Sequence, residues 1–355
     1  MNAREAASLR LFNQQIVQSS RTSAADVVAR LGAIQAQDYR GALWSIGLRC
    51  PGSSIADVER AIAAREIVRT WPMRRTLHFV AVADVRWMLQ LLAPRMVKGA
   101  VGRMRQLGLD EPAFVRSAKA LAKALRDGKS LTRDELYAVL ERAKVATGAQ
   151  RGIHILSRLS QDGLLCFASH RGSQPTFALL DEWVPKSRAL AQDEALAELA
   201  LRYFRGHGPA SVRDLAWWAG ITLGDARTGV AMVASSLEET KVGESTQFVA
   251  RDAATAPRAK RSVHLIPGFD EYLLGYTDRS VALDPAHATV IVPGNNGMFM
   301  PTIVAGGRVV GTWKPSKTAK GTVVLPQPFA PLSESDARAL AVASKRYVQF
   351  VRGDA

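Results

Sequence analysis

The stretch Ser211-Val212-Arg213-Asp214-Leu215-Ala216-Trp217-Trp218-Ala219-Gly220-Ile221-Thr222-Leu223-Gly224-Asp225 decides the fold. Ser211 and Asp214 form a capping box, a hydroxyl followed three residues on by a carboxylate. The helix it opens carries Leu215, Ala216 and Trp218. Ala219-Gly220-Ile221 is a tight turn. Thr222 and Asp225 repeat the box and open a second helix through Val230 and Val233. Two capped helices joined this closely make the helix-turn-helix layout. Phe248-Val249-Ala250 closes the unit, and a polar, proline-containing linker is expected over 253–260. Trp217 and Trp218 lie in a capped helix, so both read as core rather than as a base-stacking wedge.

The same grammar appears twice upstream. Thr132-Arg133-Asp134-Glu135 is a capping box, and a second helix is expected over 153–162, stopping at Gly163. Leu164-Leu165-Cys166-Phe167 and Thr176-Phe177-Ala178-Leu179 read as strands, with a wing tip over 169–175. Nearer the N-terminus, Ser23-Ala24-Ala25-Asp26 caps a helix that ends at Gly32, a second helix starts near Asp38, and a third covers 55–65. Residues 69–80 then read as one extended segment bent at Pro72. Helices followed by a short basic β segment are the winged-helix pattern. From Ser262 onward the pattern changes to short strands separated by Gly and Pro, at 263–267, 290–292, 300–304, 308–313 and 322–325. Gly306-Gly307 fits a tight hairpin turn, and a helix over 334–351 closes the chain. The expected fold is α+β, mainly α: three tandem winged helices (1–110, 111–188 and 189–258), then a β-rich part (259–355) built as a small barrel or sandwich with a final helix.

Charge narrows the function. The 355 residues carry 47 Lys+Arg against 32 Asp+Glu, a formal net charge of +15. Residues 69–129 alone hold 13 basic side chains against 4 acidic ones, a net of +9 in under a fifth of the chain. Such a concentration attracts phosphate through counterion release, which points to duplex DNA as the partner. No segment has the roughly 18 apolar residues of a membrane helix, and no export signal is expected. Cys50 and Cys166 are far apart and read as reduced, structural thiols. A monomer in the cytoplasm, associated with the nucleoid, is the expectation.

Several chemistries are excluded. The six histidines are scattered without metal-ligand spacing, so no metal is expected. There is no GxxxxGK[ST] phosphate loop and no GxSxG elbow, and no cofactor is called for. Phe269-Asp270-Glu271-Tyr272 has two readings: a general acid or base, or a turn start whose carboxylate pairs with Arg279, which is preferred. Gln35 and Gln37 lie between two helices. On an extended segment, residues two apart point the same way, so both amides would project together. Paired amides offer donors and acceptors that hold a water or polar substrate, although an amide is not a useful base.

At these residues the sequence resembles the AlkZ/YcaQ-type DNA glycosylases along nearly its whole length. The landmarks are Ile34-Gln35-Ala36-Gln37-Asp38, Met73-Arg74-Arg75-Thr76-Leu77-His78, Gly206-His207-Gly208-Pro209-Ala210-Ser211, Pro267-Gly268-Phe269-Asp270-Glu271-Tyr272 and Gly306-Gly307-Arg308-Val309-Val310-Gly311-Thr312-Trp313. The resemblance implies three winged helices scaffolding a basic channel. It implies hydrolysis of the N-glycosidic bond of alkylated purines, N7-substituted ones being the expectation, including the unhooking of interstrand crosslinks; no residue stands out as a Schiff-base lysine, so a monofunctional enzyme is expected. The family's Gln–aliphatic–Gln motif matches Gln35, Ala36 and Gln37, which implies that these glutamines are catalytic. A sister branch has Asp at the second place, so Gln37 puts the resemblance with the AlkZ-like branch. A β-hairpin also matters in the family, and 300–313 is the candidate. The residues expected on DNA are Arg69, Arg74, Arg75, His78, Arg103, Arg105, Arg308 and Lys314. The alternative is a non-enzymatic winged-helix DNA-binding protein or regulator, which would prefer one sequence where a glycosylase tolerates many.

Overall fold

Capping boxes set the helix starts in the computed structural model, which describes residues 1–17, 22–253, 262–319 and 321–353. Ser23 and Asp26 cap the helix Ala24–Leu31, Thr132 and Glu135 cap Arg133–Arg142, and Thr222 and Asp225 cap Leu223–Met232, each with reciprocal side-chain to backbone bonds. Ser211 and Asp214 bond in the same reciprocal way ahead of the helix Val212–Ala219. Each box satisfies backbone N–H groups that the first helical turn leaves without partners. From residue 254 on, the expected linker lies outside the described residues.

The chain divides into two compact units. The first combines Met1–Val58, Leu196–Trp218 and Thr222–Ala355, and the second Glu59–Ala195 with Ala219–Ile221. In the second unit, antiparallel strands run in the order Thr76–Ala81, Ile67–Met73, Leu165–Phe167, Thr176–Leu179 and Leu131–Thr132. Trp71, Phe167 and Phe177 stack within it, in a core completed by Leu121, Leu136, Leu156 and Leu165.

The segment 69–80 differs from the sequence reading. It is a hairpin, Ile67–Met73 paired with Thr76–Ala81, and it turns at Arg74-Arg75 instead of bending once at Pro72. Both arginines have positive φ, 52° and 58°. A two-residue turn of this hand suits the twist of the flanking strands but normally takes Asn or Gly, because a Cβ is strained there.

The C-terminal part of the first unit is an open antiparallel sheet, ordered Gly321–Pro328, Arg308–Thr318, Thr302–Ala305, Val263–Ile266. Among the described residues no closed barrel forms. Residues 290–292, expected as a strand, instead belong to or follow the helical turn Ala288–Ile291. Helix accounts for about half of the chain, so the fold is mixed α/β with several antiparallel sheets. Gly306 and Gly307 make the expected turn, with φ of 55° and 85°. The Arg308 strand takes part in two hairpins, and the longer one runs to Thr318 and Gly321, beyond the expected 300–313.

Two consequences are measurable. A methyl group on Gly47 would overlap the ring of Phe350, which is buried against Trp44. Gly47→Ala should cost about 1–3 kcal/mol in urea denaturation, and Phe350→Leu in the same chain should recover most of that loss. His264, in the buried strand Val263–Ile266, is pushed down from 6.5 to about 4 by burial, then by Arg346 and Arg49. Between those values the unfolded chain binds a proton that the folded chain refuses. Stability therefore falls as pH drops from about 6.5 to about 4, by roughly 3 kcal/mol in full. Replacing His264 with Gln should flatten the denaturation midpoints measured across that range.

Candidate active site

Gln35 ends the short strand Ile34–Gln35, and Gln37 follows one residue before Asp38, which precedes the helix Tyr39–Gly47. Strand geometry covers only Ile34 and Gln35, and Gln37 lies in a bend, so the extended stretch expected through both glutamines is not kept. Its two glutamines differ in exposure: Gln35 is 7% exposed, whereas Gln37 is open to solvent. Asp38 and Arg40 line a cavity of about 490 Å³ with Trp44, Trp313, Lys317 and Tyr347. Neither glutamine is among its lining residues.

Beneath Gln35 lies a polar network without access to solvent. The Gln35 backbone N–H donates to Glu271 Oε1 at 3.2 Å. The Trp218 indole N–H donates to Glu271 Oε2 at 2.7 Å, and His207 Nε2 stands 3.3 Å from that same oxygen. Glu271, His207 and Trp218 are each 0% exposed. Next to Glu271, Asp270 accepts a forked pair of bonds from Arg49, Nη1 to Oδ2 at 2.8 Å and Nη2 to Oδ1 at 2.9 Å. Arg49 also donates to the carbonyls of Gln14 and Ser45 and to Gln14 Oε1. Gln14 in turn donates to the Tyr276 hydroxyl, which donates to the His207 carbonyl at 2.7 Å. Burial pushes the phenols of Tyr203, Tyr272 and Tyr276 upward, so they act here as neutral donors.

This arrangement corrects the reading of residues 269–272. Asp270 pairs with Arg49, not with Arg279. Arg279 donates to the Leu273 carbonyl and lies over the rings of Trp217 and Phe299. Of the tryptophan pair, Trp218 is core, whereas Trp217 is 36% exposed.

The residues expected on DNA divide between the two units. Arg308 and Lys314 belong to the first, where Arg308 is engaged by the carbonyls of Ser280 and Val281 and Lys314 is exposed. In the second unit, Arg75, Arg103 and Arg105 are exposed and Arg74 is half-buried. Two residues leave the set. Arg69 is 8% exposed, with its guanidinium 4.7 Å over the Phe167 ring. His78 is 0% exposed; its Nδ1–H donates to the Thr76 carbonyl, and its Nε2 accepts from Arg74. Its role is to hold the turn. Among the described residues no cluster of metal-ligating side chains occurs, and no helix is long and apolar enough to cross a membrane. Cys50 and Cys166 are both buried, and burial raises both thiols, Cys50 to about 11.

The family described as DNA glycosylase AlkZ-like matches residues 28–350. The chain belongs to that family. It is a DNA glycosylase, an enzyme that hydrolyses N-glycosidic bonds. A relative, the interstrand DNA cross-link repair glycosylase of Streptomyces sahachiroi, is 29% identical over 331 residues, spanning 86% of this chain and 85% of that protein. The solved structure of Streptomyces sahachiroi DNA glycosylase AlkZ superposes with a TM-score of 0.83 at 26% identity, covering 99% of this chain and 96% of that one.

Sequence reasoning missed the anchoring residues of this glycosylase, namely Gln14, Arg49, His207 and Trp218. Arg49 carried a signal: it is a charged residue set in the apolar run from Trp44 to Cys50. A charge in such a run has to find a buried partner. Removing one member of that pair leaves the other uncompensated. Asp270→Asn should lower the unfolding free energy by about 3–5 kcal/mol. A double-mutant cycle with Arg49→Met should show the two losses strongly non-additive in the same denaturation assay.

Proposed function

We propose that this glycosylase hydrolyses the N-glycosidic bond of N7-alkylated purines in duplex DNA, and that it unhooks interstrand crosslinks built on such purines. In this reading Gln37 orients the attacking water, and Gln35 supports that water or the sugar. The reading is supported most by one observation: a short stretch that presents Gln37 to solvent while its neighbour Gln35 is held from below by Glu271. The crosslink assignment leans on the name of the Streptomyces sahachiroi relative.

The chemistry suits amides. An N7-alkylated purine is cationic and departs as a neutral base, so it needs little help from an acid. What remains is to place a water and to stabilise a sugar with oxocarbenium character. Fixed dipoles do this electrostatically when they are oriented before the reaction. No lysine is assigned as a Schiff-base nucleophile, so the product is an abasic site.

DNA is held through phosphates by exposed basic side chains, Arg75, Arg103, Arg105 and Lys314 among them, with Arg74 at the turn beside Arg75. Such contacts position a duplex without reading its sequence. The division into three winged helices (1–110, 111–188 and 189–258) ahead of the sheet is part of this proposal, as is action by a monomer at the nucleoid.

The test is base release from a duplex containing N7-methylguanine, scored as abasic sites. The wild type should release the base, and Gln37→Ala should be slower by about a hundredfold, with duplex affinity little changed. Equal rates in the two proteins would remove Gln37 from the mechanism.

A further inference from the structure

We infer that Glu271 is a positioning residue for the Gln35–Gln37 stretch, acting on the reaction through the Gln35 backbone; the inference rests on the role proposed for those glutamines.

The stretch has little regular structure to hold it. Its strand is two residues long, and neither Ala36 nor Gln37 belongs to a strand or helix. The backbone bond that fixes Gln35 therefore bears on where Gln37 lies, two residues on. Glu271 divides its two oxygens between that stretch and the core. Oε1 takes the Gln35 N–H, while Oε2 takes the Trp218 indole and faces His207. Glu271, His207 and Trp218 are fully buried, so bulk solvent does not replace a bond lost among them.

The carboxyl group itself cannot drift. Glu271 begins the short helix Glu271–Leu274, which Asp270 caps by accepting the Tyr272 N–H at 2.9 Å. Asp270 is in turn clamped by Arg49. On the far side, Trp218 is fixed by packing against Tyr203 and His207, whose rings lie 5.1 and 5.2 Å away. Trp218 also lies beside Gly32, at the start of the segment that leads into Ile34; a Cβ there would come within 3.3 Å of the indole. One carboxyl group thus ties a tryptophan locked in the core to the backbone at Gln35.

Replacing it with an amide keeps the shape and breaks the pattern. A glutamine side chain offers one acceptor oxygen where Glu271 offers two. Either the Gln35 N–H or the Trp218 N–H would then face an NH₂ group. A shift of the Gln35 backbone carries to Gln37 two residues on. Misplacement of a catalytic group by an ångström costs up to about a hundredfold in rate.

The experiment is a single-turnover assay of base release from N7-methylguanine duplex with the full chain, together with duplex affinity and thermal melting. Glu271→Gln should be slower by roughly tenfold to a hundredfold, with affinity within about twofold of wild type and a cooperative melt. In a Gln37→Ala background, Glu271→Gln should add little further loss, since it acts through the same stretch. Trp218→Phe, which removes the indole donor together with part of the ring volume, should give a smaller loss that is also non-additive with Gln37→Ala; it carries the test should Glu271→Gln fail to fold. A wild-type rate in Glu271→Gln, losses additive with Gln37→Ala, or rate and affinity falling together would overturn the inference. A wild-type protein that releases no base would instead sink the proposed function, and this inference with it. An active wild type with an inactive Gln37→Ala and an unimpaired Glu271→Gln would sink the inference alone.

Discussion

Arg49 and Asp270 are both removed from solvent, and each would be costly there without the other. The pair satisfies this requirement only in one geometry. The guanidinium fork meets both carboxylate oxygens, and its remaining N–H groups are taken by Gln14 and Ser45. That geometry draws together the end of the N-terminal helix region, the helix Tyr39–Gly47 and the turn before Glu271. A buried pair of this kind is weak evidence of extra stability, because well-packed apolar residues would often do as well. Its effect is on specificity of arrangement. Few alternative packings satisfy every donor and acceptor at once, so the neighbouring Glu271 inherits a fixed position.

Local features were legible in the sequence, and long-range ones were not. The boxes at Ser23, Thr132 and Thr222 could be read because a cap and its partner lie three residues apart. The Gly306-Gly307 turn could be read because glycine marks positive φ. The Arg74-Arg75 turn has the same backbone requirement and carries no such mark. Arginines occupy the left-handed positions, so the hairpin read as a single bent strand. Residues 290–292 failed for another reason: a β-branched run of three is too short to distinguish a strand from a helical turn. The turn at 269–272 reads as pairing with nearby Arg279, although Asp270 pairs with Arg49, 221 residues away. Spacing arguments have no access to a contact of that span.

The candidate site was legible in the same partial way. Gln35 and Gln37 stand out as paired amides, but they do not share one extended face: Gln35 ends a strand and is buried, whereas Gln37 lies in a bend and is exposed. Counting charges over 69–129 gave the correct sign for a DNA-binding protein but treated every basic residue alike. Arg69 and His78 are spent on the protein itself, one stacked on Phe167 and one bonded to Arg74 and Thr76. Long basic side chains serve as packing groups as well as charges. Sequence composition cannot separate the two uses, because burial is decided by the sheet that Arg69 enters.

An amide supplies neither a formal charge nor a strong base, so a reaction run by Gln35 and Gln37 has to draw its rate from placement. A carboxylate in their position would tolerate some disorder, because Coulomb attraction falls off slowly with distance. A dipole does not, since its effect depends on angle as well as separation, and it acts best when already aimed. In the proposed reaction that aim is set from beneath: Glu271 holds the Gln35 backbone, Trp218 and His207 hold Glu271, and Arg49 holds the cap of its helix. Arg49, Asp270 and Glu271 therefore lie where no substrate can touch them. Set beneath Gln35, they brace its backbone and leave Gln37 open to solvent.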